Sequence, residues 1–223
     1  MAHLKDPQYV KVLDGRPLVY AFQCNASKKF FDGVSAAAVA AGLPKPYFVN
    51  MGNTPHLSAD AESSYTGKAG GWVAKAGTQV IPGVSSGWDR RPRVQNPVPW
   101  EGGTPQAVTG GPNKDTLAPK EIAARVKAAL DWNKAHPEAG KANAVIIYAW
   151  NEFDEGGWIC PTLSEGTARL DAIRAVLKAS ATAQAALEER AGRNGGAKRK
   201  PKSAAKKKPA RAGKVKGRKK SKR

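Results

Sequence analysis

Apolar positions along the chain fall into short clusters, and their spacing is of two kinds. Pro17-Leu18-Val19-Tyr20-Ala21-Phe22, Pro46-Tyr47-Phe48-Val49, Thr78 to Val84 and Val145-Ile146-Ile147-Tyr148-Ala149 are compact runs bounded by turn-forming residues. Short runs rich in β-branched and aromatic residues read as buried strands. Pro82 sits near the end of the third, where a missing amide proton is tolerated. Between the runs, apolar residues recur at helical spacing. Phe30, Val34, Ala37, Ala38 and Ala41 share one face of a helix predicted over 28–41, with Ser27 as its cap and Gly42 at its end. Pro119 suits a first helical position and opens a second helix to about Ala135, with Ile122, Val126 and Leu130 on its apolar face and His136-Pro137 as its stop. A last helix is predicted from about Thr167 to at least Lys178 and onward towards Glu189, with Leu170, Ile173 and Leu177 facing inward.

Two stretches carry little pattern. Residues 58–77 offer only a weak helix at Trp72-Val73-Ala74, and residues 85–119 read as one long loop rich in Gly and Pro. The order β-α-β-(α)-β-long loop-α-β-α predicts an α/β fold with a parallel sheet and right-handed crossovers. About four βα units make half of a (β/α)8 barrel, and a small open sheet satisfies the same order.

Chemistry collects where these strands end. In parallel α/β folds the carboxyl ends of the strands converge on one face, where sites are built. Three clusters fall there: Asn50 to His56, Ser85 to Arg93, and Trp150 to Trp158. The last is the densest. Trp150, Asn151, Glu152, Asp154, Glu155 and Trp158 directly follow an apolar strand. Buried carboxylates are costly unless paired or used. Glu152 and Glu155 are the catalytic candidates. Three residues apart on a loop or helical turn, they can stand roughly 5–6 Å apart, which suits one carboxyl as proton donor and the other as base or nucleophile in glycoside hydrolysis. The same pair would also fit a helix N-terminus, where acids offset the dipole. The second cluster supplies an indole in Trp88, a carboxylate in Asp89 and guanidinium forks in Arg90, Arg91 and Arg93; indole faces, those of Trp150 and Trp158 included, stack on sugar rings, and Asp and Arg pair with hydroxyls or anionic groups.

Charge divides the chain. The net charge is +19, but residues 1–190 are close to neutral, while residues 191–223 carry 16 Lys/Arg and no acid. The globular domain is thus assigned to 1–190 and a disordered basic tail to 191–223. Its clusters Lys198-Arg199-Lys200, Lys206-Lys207-Lys208 and Arg218-Lys219-Lys220 are expected to bind nucleic acid or another polyanion through counterion release. No aromatic residue is interleaved, so base stacking is not expected. Two cysteines, Cys24 and Cys160, form no CxxC spacing, and the three histidines form no HxH or HExxH pattern. No metal and no cofactor is expected. The first residues lack an apolar signal core and no run is long enough to span a bilayer, which predicts a soluble, cytoplasmic chain with no membrane partner.

Three segments resemble one family. Y-A-W-N-E-F-D-E-G-G-W-I-C-P resembles the W-N-E-W-x-E-G motif of glycoside hydrolase family 99 and its WbsX-like relatives. P-G-V-S-S-G-W-D-R-R-P-R resembles their P-G-W-D-x-x-P-R segment, and D-P-Q-Y-V-K-V-L-D-G-R-P-L-V their D-P-x-Y-x-K-x-D-G-K-P-L segment, all in the same order. Phe153 replaces an indole common at that place. The resemblance covers roughly Lys5 to Lys178. It implies the C-terminal half of a TIM-type barrel that acts on α-mannoside-type linkages in oligo- or polysaccharides, with retention. By resemblance, Glu155 is the general acid/base, Glu152 assists the substrate 2-hydroxyl as internal nucleophile, and Trp88, Asp89, Arg93, Asn151 and Trp158 shape the sugar subsites. Two other readings stand beside it: a non-catalytic saccharide-binding remnant, and a nucleic-acid-associated protein working through its tail.

Overall fold

A computed structural model describes residues 1–52, 54–67, 71–99 and 115–195. Its elements are α1 (Ala2–Lys5), β1 (Lys11–Val12), β2 (Arg16–Ala21), α2 (Lys28–Ala40), β3 (Tyr47–Asn50), β4 (Ala61–Glu62), β5 (Gln79–Val80), β6 (Gly83–Ser85), β7 (Gly87–Trp88), α3 (Arg91–Gln95), β8 (Asp115–Thr116), α4 (Pro119–Ala135), β9 (Ile146–Tyr148), β10 (Asn151–Glu152), β11 (Gly157–Trp158) and α5 (Ala168–Gly195). The fold is mixed α/β with a curled sheet in the order β1-β2-β3-β4-β5. β1 runs antiparallel to β2, and the other neighbours are parallel.

The parallel run continues through one shared stave. Ile81 donates from its amide to Glu62 on the β4 side, and Pro82 accepts from Ile146 on the β9 side. β6 then pairs parallel with β9, Gly83 to Ser85 against Ile146 to Tyr148. Proline's missing N–H interrupts the ladder here, so β5 and β6 are two pieces of the run predicted over 78–84.

Side chains alternate across the sheet, as the pleat requires. Leu18, Val49, Ala61 and Ile81 pack together on one side. Ala21 and Phe48 turn to the other, where Phe31 of α2 covers them. Val84 meets Ile122, Val126 and Ala129 of α4 and Ile173 of α5. α2 is capped as expected: Ser27 accepts from the Phe30 amide at 3.3 Å. The amides of Gly42 and Leu43 return to Val39 and Ala38, closing the last turn. α4 opens at Pro119, with Glu121 accepting from the Ala118 amide at 2.7 Å.

Several expectations are corrected. The sheet has a further strand, β4, inside the stretch that showed no pattern. Residues 71–74 form no helix; the Trp72 indole instead donates to the Gly83 carbonyl at 3.1 Å and packs edge-on against Trp132. The long loop contains β7, α3 and β8, while its residues 100–114 lie outside the described part. In α2 Ala38 is buried as expected, but Phe31 is buried in place of Phe30, which is exposed. In α5 Ile173 is buried but Leu177 is exposed, Val176 packing inward in its place. α5 runs to Gly195, inside the stretch assigned to the tail. The polyanion-binding candidates from Lys198 to Lys220 lie outside the described residues. The backbone divides into two units, Met1–Ala183 and Gln184–Arg223, and the candidate site belongs to the first. Among the described residues no helix is long and apolar enough to cross a membrane.

Candidate active site

Glu152 and Glu155 are presented by a tight hairpin. β10 and β11 pair antiparallel, Asn151 with Trp158 and Glu152 with Gly157, and a single 3₁₀ turn, Phe153–Glu155, joins them. The glutamates therefore do not stand at the start of a long helix, and offsetting a helix dipole is not their role. The turn closes because Gly156 adopts φ 76°, a left-handed conformation that glycine enters without penalty. It also lets two loops touch. A Cβ at position 156 would lie 2.3 Å from the Asp89 nitrogen, and that amide donates to the Glu155 carbonyl at 2.6 Å. The hairpin is thus locked onto the segment that follows β7.

α3 delivers the counter-charge. The Arg93 guanidinium donates from Nε and Nη2 to Asp154, both at 3.0 Å, and from Nη1 to Glu155 Oε1. Its Nη2 lies 4.0 Å from Glu152. One fork thereby gathers three carboxylates, which would repel one another unassisted. The second oxygen of Glu155 accepts from the Tyr148 hydroxyl. The two glutamates differ in setting: the side chain of Glu155 is 11% exposed and that of Glu152 37%.

Two tyrosines feel this charge. Burial pushes the Tyr148 phenol well above its ordinary range, and its hydrogen bond to Glu155 and the charges of Glu155 and Glu152 add to that. Tyr148 therefore stays a proton donor to Glu155 at any physiological pH. Tyr65 is raised by burial first and then by Glu152 and Glu155, with Arg93 acting the other way. The rings are in contact: Tyr65 stands edge-on to Tyr148 at 5.3 Å, and Trp88 is tilted against Tyr148 at 5.8 Å.

The remaining candidates divide into two groups. Trp150 (54% exposed) and Asn151 are open to solvent, and Trp88 is half-buried at the rim. Asp89 is buried, and its carboxylate binds Arg91 through the backbone amide at 3.1 Å and through Nε at 2.8 Å. Asp89 and Arg93 thus bind the protein's own groups, fixing α3 and the hairpin. Trp158 lies under the buried Arg169, whose guanidinium is 4.0 Å from the ring centroid and donates to the Trp158 and Ser86 carbonyls. His56 is exposed.

Tyr65, the Tyr148 hydroxyl, Glu62 and Arg169 escape a reading of the sequence. Tyr148 carried one usable signal, a polar-tipped aromatic as the last residue of a buried strand. Tyr65 and Glu62 lie in the stretch without periodicity, and Arg169 is spaced like an ordinary surface charge. Among the described residues no group of His, Cys, Asp and Glu could hold a metal ion. No family model, no curated protein and no solved structure matches the chain.

Proposed function

We propose that the chain is the second half of a (β/α)8-type barrel, similar to glycoside hydrolase family 99, and that it acts on neutral glycans, α-mannoside-type linkages first. The observation that carries this reading is the pair of unlike glutamates on one hairpin at the carboxyl end of the parallel strands. Glu155, buried and bonded to Tyr148, is assigned proton transfer to and from the glycosidic oxygen. Glu152, more open, is assigned to the substrate 2-hydroxyl. Trp88, Trp150 and Asn151 supply the ring contacts and hydrogen bonds that seat the sugar. Arg93 holds the two glutamates in reach of one substrate, which is the positioning that makes such chemistry fast. The test is hydrolysis across a panel of α-linked oligosaccharides. Wild-type chain should turn over at least one member, and Glu155→Gln and Glu152→Gln should each lower kcat/KM by at least about 100-fold. A folded chain inert on the whole panel overturns the hydrolase reading.

A second reading belongs to residues 191–223. Sixteen cationic side chains with no acid among them will hold a polyanion at low salt. Removing residues 196–223 should abolish binding to a short random-sequence DNA duplex, together with its steep salt dependence. Binding that persists unchanged without them refutes it.

A further inference from the structure

We infer that Arg169 is a positioning residue for Glu155: its guanidinium, on α5, holds the glutamate hairpin and the end of β9 in one fixed relation. The inference rests on the hydrolytic reading of that hairpin and adds to it a second anchor, separate from Arg93.

Arg169 is the second residue of α5 and is only 4% exposed. A cation so buried is costly unless its charge and donors are met. Nε and Nη2 donate to the two oxygens of Glu165, four residues earlier, at 2.5 and 3.4 Å. Nη1 donates to the Trp158 carbonyl at 3.0 Å and to the Ser86 carbonyl at 3.3 Å. The guanidinium carbon lies 4.0 Å from the centroid of the Trp158 ring. One side chain thus joins the approach to α5, β11 and the residue between β6 and β7. Arginine suits this place because its donors form a rigid fork and its flat face stacks on an indole; lysine offers neither.

Both carbonyls lead to Glu155. Ser86 is fully buried; its amide donates to the Tyr148 carbonyl at 2.6 Å, and its hydroxyl oxygen accepts from the Ala149 amide at 3.0 Å. Ser86 therefore fixes the backbone of Tyr148, whose own hydroxyl binds Glu155. On the second route, Trp158 pairs with Asn151 across the hairpin. Its ring leans on Phe153, the first residue of the turn that ends in Glu155, with centroids 5.8 Å apart. Between the routes Gly157 lies flush on Tyr148: a Cβ there would fall 2.5 Å from the tyrosine Cε1. Releasing Arg169 frees the hairpin and Tyr148 to shift against each other, and the Tyr148–Glu155 bond is the contact that registers the shift. Buried as it is, Arg169 acts through these groups and not on substrate.

The test compares the full wild-type chain with Arg169→Met, Arg169→Lys and Ile173→Ala by amide hydrogen exchange read by mass spectrometry. Ile173 lies four residues further along α5 and packs with Ile122 and Val126 of α4, so Ile173→Ala reports lost core packing. Arg169→Met should speed exchange over residues 150–158 by about tenfold or more and leave 122–129 at the wild-type rate. Arg169→Lys should show the same pattern more weakly, and Ile173→Ala the reverse pattern. On an α-linked oligosaccharide that wild type hydrolyses, Arg169→Met should lower kcat about tenfold or more with KM within about twofold, since orientation is lost and binding is not. Ile173→Ala should leave kcat unchanged. Wild-type exchange over 150–158 in folded Arg169→Met, equal acceleration everywhere, or an unchanged kcat despite local release overturns the inference. Should Arg169→Met fail to fold, Arg169→Lys decides by the same criteria. Wild type inert on the whole oligosaccharide panel overturns the hydrolytic reading alone, and the exchange pattern still decides the anchor.

Discussion

Arg93→Met should lower the free energy of unfolding by about 3 to 5 kcal/mol, the usual cost of removing one partner from a buried ion pair. Both side chains of the Arg93–Glu155 pair are 11% exposed, so solvent cannot replace the lost charge. The damage extends beyond that pair, because Arg93 also binds Asp154 and faces Glu152. Three carboxylates would be left to repel one another around a hydrophobic tyrosine. Urea denaturation followed by tryptophan fluorescence measures the loss. The double variant Arg93→Met/Glu155→Gln should recover part of it, since the stranded charge is gone. Asp154→Asn alone should cost under about 1 kcal/mol, as expected of an exposed partner. A wild-type midpoint for Arg93→Met would mean that the cluster is held by other groups.

Gly156→Ala should cost about 3 kcal/mol, part from the left-handed backbone and part from overpacking. The added methyl would meet backbone atoms of Asp89, 2.3 and 2.8 Å away, with no flexible side chain able to yield. Relief requires the Asp89 amide to leave the Glu155 carbonyl, which detaches the hairpin from the segment after β7. Gly166→Ala is the comparison. It too has positive φ, 54°, but nothing lies within 4 Å of its added Cβ. It should cost only the conformational share, about 1 kcal/mol. Equal losses in the two variants, read from the same urea titrations, would show that the close approach at Gly156 constrains nothing.

What the sequence reveals follows from how each feature is encoded. Tyr47 to Val49 and Ile146 to Tyr148 are apolar runs, so their strands are visible in any window of suitable length. The caps at Ser27 and Pro119 are local chemistry and were equally plain. β4 is only Ala61–Glu62, and two residues cannot display a period. The choice between Phe30 and Phe31 is a matter of helical phase, which packing against Phe48 decides. The glutamates of the hairpin were legible because a strand's end is a special place. The role of Arg93 was not, since its partners lie 61 and 62 residues further along the chain. The P-G-W-D-x-x-P-R resemblance singles it out from Arg90 and Arg91, but nothing local marks it as the cation that gathers the three carboxylates.

The contact of Gly156 with Asp89 has a consequence for engineering. The hairpin and the stretch from Gly87 to Arg93 are two halves of one part: the first carries the glutamates, and the second provides the surface they are bolted to and the cation that spaces them. Transplanting Trp150 to Trp158 alone onto another scaffold would move the glutamates without the groups that hold them. Both segments must travel together, and a substitution in either is best compensated in the other.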